Sequence, residues 1–331
     1  MSESLLSVRH LTTEFILQQR GARDRVARAL EDVSFDILPG QTVGLVGESG
    51  CGKTTLLMSA MRLLPSNGRI TAGYVRYNGT DLLQLSERKM RDYRWKEMAI
   101  IFQGAMNALN PVMNIGDQIR EAILLHRLME RDAAEARVVE LMELVGIPRA
   151  RRDQYPHQYS GGMRQRAMIA MALACKPPLL FADEPTTALD VMIQAQVLEL
   201  LRNIQQTLGL AIVLVTHDLG VVAEVCDSVV VMYGGKVAEY GTADEIYNRP
   251  QHPYTQRLLA SFPDLNRPSG QLASIPGTPP RLTELPKGCR FAPRCDVKLP
   301  HCDQVDPASR EPRPGHYVAC HLCAGKEALF T

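Results

Sequence analysis

Nine residues, Gly47-Glu-Ser-Gly-Cys-Gly-Lys53-Thr54-Thr55, follow directly on the apolar run Thr42 to Val46. Their glycines let backbone N–H groups converge on an anion, and a helix starting there would add its positive N-terminal end. The spacing is that of a nucleotide-phosphate loop. Gly47, Ser49, Gly50, Cys51, Gly52, Lys53, Thr54 and Thr55 are its expected contacts; Lys53 would neutralise the β and γ phosphates and Thr54 would ligate magnesium. Cys51 lies beside Lys53 and a helix N-terminus, which predicts a thiol of lowered pKa, reactive and shielded by bound nucleotide.

A second group follows another apolar run, Leu179-Leu-Phe-Ala-Asp183-Glu184. Consecutive side chains of a strand point to opposite faces, so the two carboxylates can take different tasks. Asp183 is expected in the magnesium shell and Glu184 as the group that orients and polarises an attacking water. Upstream, Tyr159-Ser160-Gly161-Gly162-Met163-Arg-Gln165-Arg supplies a hydroxyl and free amides before a helix, a second anion site. One phosphate loop does not need two cradles.

This last motif resembles the signature of ABC ATPases, and the resemblance resolves the excess. In that family a head-to-tail dimer closes the signature of one subunit over the nucleotide on the phosphate loop of the other. The remaining motifs stand in family order. Gln103, ending Met98-Ala-Ile-Ile-Phe-Gln103, resembles the glutamine that senses the γ phosphate and joins the magnesium shell; His217 resembles the switch histidine; Ala188-Leu189-Asp190 resembles the D-loop. Phe15 matches the position that stacks on adenine. More narrowly, Tyr155-Pro-His-Gln-Tyr-Ser-Gly-Gly-Met-Arg-Gln-Arg166, Leu109-Asn-Pro111 and His252-Pro-Tyr-Thr-Gln-Arg-Leu-Leu259 resemble the dipeptide and oligopeptide importers, over essentially the whole chain. Gly104-Ala-Met-Asn-Ala departs from the acidic residue usual after the glutamine. Related branches carry nickel or oligosaccharides.

The C-terminal region has its own chemistry. Cys289, Cys295, Cys302 and Cys320 are separated by five, six and seventeen residues, amid prolines and the Arg290-Phe-Ala-Pro-Arg294 turn. Four thiolates on a loop-rich segment can organise it around a metal. The spacing differs from the Cys-x-x-Cys pairs of zinc ribbons. It resembles the terminal motif of peptide-transporter ATPases, in which four cysteines hold a 4Fe-4S cluster. Cys323 falls outside that set, while Cys320-His-Leu-Cys323 leaves zinc as an alternative, and disulfides or free thiols as a third.

The elements that must position these groups are legible as alternating short β-rich runs and helical stretches: Thr42 to Val46, Leu179 to Ala182, Ile212 to Thr216 and Val229 to Met232. They imply an α/β fold with a mainly parallel sheet; the resemblance implies that this is a P-loop NTPase core of the ABC type. From Gln103 to Ser160 the strand signal vanishes. Asp132 with Glu135 suggests a capping box, Val138, Leu141, Met142 and Val145 an apolar stripe, and Gly146 a helix end. The expected organisation is a core of residues 1–103 and 161–250, a helical subdomain of 104–160, and a small irregular metal-binding extension of 251–331. Thirteen of the 21 prolines lie from Pro250 onward, against continuous regular structure there.

Composition narrows the function classes. Lys plus Arg number 37 against 36 Asp plus Glu, so no basic footprint marks a nucleic-acid partner, which counts against a soluble ABC ATPase of DNA repair or translation. No apolar run approaches the roughly 20 residues that span a bilayer, and the N-terminus lacks a signal-peptide pattern. The chain is expected at the cytoplasmic face of the inner membrane. The resemblance implies two permease subunits, a second ATPase that is a related chain or a copy of this one, and an extracytoplasmic solute-binding protein.

Overall fold

The structure is a computed structural model and describes residues 4–18, 24–104, 108–187, 189–261 and 274–327. In chain order it opens with β1 (Leu6–Leu17), β2 (Arg25–Ile37), β3 (Thr42–Val46), α1 (Lys53–Ala60), β4 (Gly68–Tyr77) and β5 (Thr80–Asp81). Then come α2 (Glu87–Tyr93), β6 (Met98–Ile101), α3 (Ile115–Leu125), α4 (Arg131–Leu144), α5 (Gly161–Ala172), β7 (Leu179–Asp183), α6 (Val191–Leu208) and β8 (Ala211–Val215). The chain continues through α7 (Leu219–Val225), β9 (Ser228–Tyr233), β10 (Lys236–Thr242), α8 (Ala243–Asn248) and α9 (Pro253–Ala260) to β11 (Arg310–Arg313), β12 (His316–Val318) and β13 (Lys326–Glu327).

These elements form two compact units, the first of residues 1–38, 43–83 and 216–331, the second of 39–42 and 84–215. In the first, β3 and β9 run parallel, as the sequence predicts. The same unit also holds a four-stranded antiparallel sheet, β2-β1-β4-β5, that the mainly parallel expectation omits. Its strands are rich in charge: Glu14 pairs with Arg28 and Arg69, and Arg9 with Asp36. The core face is nonetheless apolar, with Leu6, Val8, Leu11, Leu30, Val33 and Val75 buried. Cross-strand ion pairs let both polar and apolar faces persist in one sheet.

The proline-rich region is more regular than its composition implies. It contributes α9 and three short strands, and β12 pairs antiparallel with β10 through Glu239–Val318 and Tyr240–Tyr317. Glu239 is fully buried there; its carboxylate accepts the amides of Gln251 (2.7 Å) and His252 (3.0 Å) and contacts His316 Nε2 at 2.7 Å. A buried carboxylate tolerates that position because its oxygens are engaged.

In the second unit, β6, β7 and β8 form a parallel run. Every residue of β7 and β8 is buried, as strands covered on both faces require. Between β6 and α5 the described residues contain helices and no strand, and the stripe Val138, Leu141, Met142 and Val145 is buried. Gly146, at φ 74°, follows the helix end as expected. The expected capping box is absent: α4 starts two residues earlier than expected, at Arg131 with Glu130 as N-cap, which places Asp132 in the first turn, where its charge favours the helix dipole.

Candidate functional site: a phosphate loop, a strand-end carboxylate pair and a cysteine cavity

Gly47, Gly50 and Gly52 adopt φ values of 147°, 78° and 107°, which L side chains avoid. A Cβ on Gly47 would lie 2.2 Å from Met232 O, and one on Gly52 2.6 Å from Ala29 O. The loop therefore folds as it does only with glycine at both places. Lys53 is buried and its Nζ donates to Gly47 O (2.6 Å) and Glu48 O (3.2 Å), bracing the loop from within. Helix α1 begins with Gly52 as N-cap and no side-chain cap, which leaves its first-turn N–H groups directed at an incoming anion. Thr54 is exposed. A cavity of about 300 Å³ opens beside Gly47, Glu48 and Ser49, and His217 lines it. Phe15 is half-buried on β1, its ring against Gly68.

In the second unit, Asp183 closes β7 and is buried. Glu184 follows at φ 46°, in the left-handed region, with its N–H donating to Val215 O at 3.0 Å. Across this turn Asp183 is buried and Glu184 half-buried, so the two carboxylates have different surroundings. Glu184 Oε2 accepts from Gln103 Nε2 (2.8 Å) and from Thr187 Oγ1 (3.1 Å). Ser160 caps α5, its Oγ accepting from Met163 N at 3.3 Å, and is exposed. A Cβ on Gly162 would lie 2.9 Å from Ile193 Cγ2, so Gly161-Gly162 permits α5 to approach α6. Asp190 caps α6 through Ile193 N at 3.0 Å. Its neighbour Ala188, and Ala105 to Asn107 after Gln103, lie outside the described residues.

The four cysteines meet. Cys289, Cys295, Cys302 and Cys320 line one cavity, together with His252 and His321, and Cys323 does not. The amide of Cys289 donates to Cys302 O at 2.8 Å, which draws distant parts of the chain together. No cysteine forms a disulfide. Burial, with neighbouring thiols adding to it, pushes Cys289 up to about 11 and raises Cys295 and Cys320. A metal bound here would displace protons from these thiols. Beside them His301, Cys302 and His321 offer ligand atoms all within 4.8 Å of one another.

Comparison with known proteins matches residues 30–187 to the ABC transporter family and residues 238–302 to the oligopeptide/dipeptide transporter C-terminal region. The dipeptide transport ATP-binding protein DppD of Bacillus subtilis is 48% identical over 323 residues, covering 97% of this chain and 95% of that protein. The chain belongs to the ABC transporter ATP-binding proteins of the dipeptide/oligopeptide type. The oligopeptide transport ATP-binding protein OppD of Salmonella typhimurium is 45% identical, covering 88% of this chain and 87% of its own. Among solved structures, the dimeric ATP-binding cassette MJ0796 bound to ADP and Pi aligns with a TM-score of 0.63 at 25% identity, covering 72% of this chain and 98% of that one.

As an ABC ATPase of this type, the protein corrects one expectation at its phosphate loop. Cys51 is buried, and burial raises its thiol pKa despite the opposing charge of Lys53. Helix N-terminus and lysine are both present, as the sequence implies; desolvation, which depends on packing by residues far along the chain, outweighs them. Some functional neighbours escaped sequence reasoning. Thr187 stands three residues after Glu184, an offset that could have suggested its bond. Tyr254 and Arg294, which both contact Glu48, carry no local signal, since that contact joins residues some 200 or more positions apart. Among the described residues no helix is long and apolar enough to cross a membrane.

Proposed function

We propose that this ABC ATPase energises import of dipeptides or oligopeptides through a transporter at the cytoplasmic face of the inner membrane. The observation that carries it is the likeness, over nearly the full chain, to dipeptide and oligopeptide transport ATP-binding proteins. Two permeases, a second ATPase, most simply a related chain, and an extracytoplasmic solute-binding protein complete the system. Residues 1–103 and 161–250 make the ATPase core, 104–160 its helical subdomain and 251–331 the extension. Purification from solubilised membranes, with every attached chain identified, should recover two permeases and an ATPase. Recovery of nucleic-acid or ribosomal machinery in their place would overturn the reading.

The residue roles follow from chemistry. Gly47, Ser49, Gly50, Cys51, Gly52 and Thr55 offer loop amides or hydroxyls to the phosphates, and Lys53 neutralises them. Thr54, Gln103 and Asp183 hold magnesium. Glu184 orients and polarises the attacking water and His217 serves as the switch histidine. Ser160, Gly161 and Gly162 bind the nucleotide of the opposing subunit, Asp190 serves the dimer contact, and Phe15 stacks on adenine.

For the cysteines we propose a 4Fe-4S cluster on Cys289, Cys295, Cys302 and Cys320. Support comes from the donor set itself: four thiols facing one cavity, in a segment whose few strands are short. Such a cluster, when bound, supplies four thiolate cross-links and a one-electron couple. A zinc reading is favoured by one observation, the His301–Cys302–His321 group.

A further inference from the structure

Glu48, the second residue of the phosphate loop, is held from the C-terminal region at two separate points. Its backbone N–H donates to Tyr254 Oη at 2.9 Å. Its carboxylate receives both arms of a guanidinium, Arg294 Nη1 to Oε2 at 2.6 Å and Nη2 to Oε1 at 3.1 Å. Arg294 spends its other donors on Pro276 O (2.7 Å), Tyr233 Oη (3.2 Å) and Ile275 O (3.3 Å), so all five N–H groups have an acceptor. It is 7% exposed. Burial disfavours its charge, yet the hydrogen bonds to Glu48 and Tyr233 and the ion pair with Glu48 outweigh that and raise its pKa further. With Lys53 Nζ on the Glu48 carbonyl, the N–H, C=O and carboxylate of Glu48 are all engaged.

The arrangement acts on nucleotide binding in two ways. It fixes the backbone of a loop whose amides must converge on phosphate before the ligand arrives, which lowers the ordering cost of binding. It also neutralises a carboxylate that would otherwise stand, uncompensated, within the loop that receives a polyphosphate. Arg294 is in turn placed by the cysteine segment. It ends the 3₁₀ turn Ala292–Arg294, immediately before Cys295, and Phe291, the N-cap of that turn, packs on Tyr233 and Tyr254 with ring centroids 5.2 and 5.4 Å apart. A change at Cys289 or Cys295 therefore has a short, packed route to Glu48.

We infer that Arg294 and Tyr254 are positioning residues for the phosphate loop, and that through Arg294 the occupancy of the cysteine site sets the affinity of that loop for nucleotide. The inference rests on reading Gly47 to Thr55 as the phosphate site and the four cysteines as metal ligands.

The test uses the full chain, titrated with a fluorescent ATP analogue and magnesium, alongside steady-state hydrolysis. Arg294→Gln should raise the Kd and KM for nucleotide about tenfold while kcat at saturation stays within about twofold. Adding Glu48→Gln to it should recover most of that loss by removing the unpaired charge. A merely structural role would show no recovery and a fall in kcat with KM. Tyr254→Phe, a milder change, should raise Kd about threefold and guards against misfolding of the arginine variant. Cys295→Ser should weaken binding in the parent and add nothing on the Arg294→Gln background, as two changes on one route must. Unchanged Kd in Arg294→Gln and Tyr254→Phe, additive effects of Cys295→Ser, or a parent devoid of iron and zinc would each overturn the inference. Lys53→Ala is the separate control: retained nucleotide binding there would reject the phosphate site itself.

Discussion

Gln103 Nε2 donates to Glu184 Oε2 across 2.8 Å, joining the residues at the ends of two neighbouring parallel strands. Thr187 Oγ1 reaches the same oxygen at 3.1 Å, and the left-handed turn at Glu184 fixes the backbone beneath it. The carboxylate is thus held in one orientation before any substrate arrives, as a group that must align a water requires. Glu184→Gln preserves shape and removes the base. Turnover should fall at least about 100-fold, about 2.7 kcal/mol of barrier, while nucleotide Kd changes less than about threefold. Hydrolysis within about threefold of the parent would remove Glu184 from this role.

Cys51 should resist alkylation. Burial raises its pKa, so at pH 8 little thiolate forms, with or without nucleotide. Mass-spectrometric mapping after brief iodoacetamide treatment should find it unmodified in the folded protein and labelled after denaturation. Rapid labelling of the nucleotide-free fold would contradict the packing around the loop.

Acid should loosen the attachment of the cysteine segment at Glu31. This carboxylate pairs with Arg28 (3.0 Å), Lys236 (3.4 Å) and the buried Arg290. Burial alone would raise its pKa, but the hydrogen bond from Arg28 and the charges of Arg290 and Lys236 outweigh it and lower the value. The folded protein therefore holds fewer protons here than the unfolded chain, and the contribution is complete above the unfolded carboxylate pKa of about 4.3 and lost as pH falls through the folded value. At pH 7, Glu31→Gln should cost about 2 kcal/mol in denaturant unfolding, since Arg290 loses its charged acceptor. The gap from the parent should close as pH drops below about 4, and a gap independent of pH would refute the assignment.

Anaerobically purified protein should be brown and contain iron and acid-labile sulfide near four each per chain, by the cubane reading. Serine at Cys289, Cys295, Cys302 or Cys320 should remove the colour; serine at Cys323, outside the cavity, should not. His321→Ala separates the two metals, because it should spare iron but lower zinc occupancy if His301, Cys302 and His321 form a site of their own. Stoichiometric zinc with no sulfide would end the cluster assignment and leave the ATPase untouched.

Sequence alone located the groups whose chemistry depends on neighbours in the chain. The turn from β3 into α1 needs glycine at fixed offsets, and Asp183-Glu184 needs only a strand end, so both are visible in short windows. The run Thr42 to Val46 is a strand with those very limits. Properties decided by packing were not visible. The Cys51 pKa depends on burial, and the hold on Glu48 comes from Tyr254 and Arg294, brought in by α9 and the cysteine turn. The antiparallel sheet was obscured for a similar reason: Glu14, Arg28 and Arg69 read as solvated charge until their cross-strand partners are known.

The pairing of β12 with β10 bears on how such a chain can be shortened. Ala319 N donates to Ala238 O at 2.9 Å, and β11 lies beyond β12, so the outer row of β10 is already occupied. A cassette trimmed after Asn248 would bare that row and the buried carboxylate of Glu239 together, giving strands of other molecules a place to add. The extension is therefore also a seam closed against aggregation, and a minimal cassette made from this sequence would need a substitute strand before it could stay monomeric and soluble.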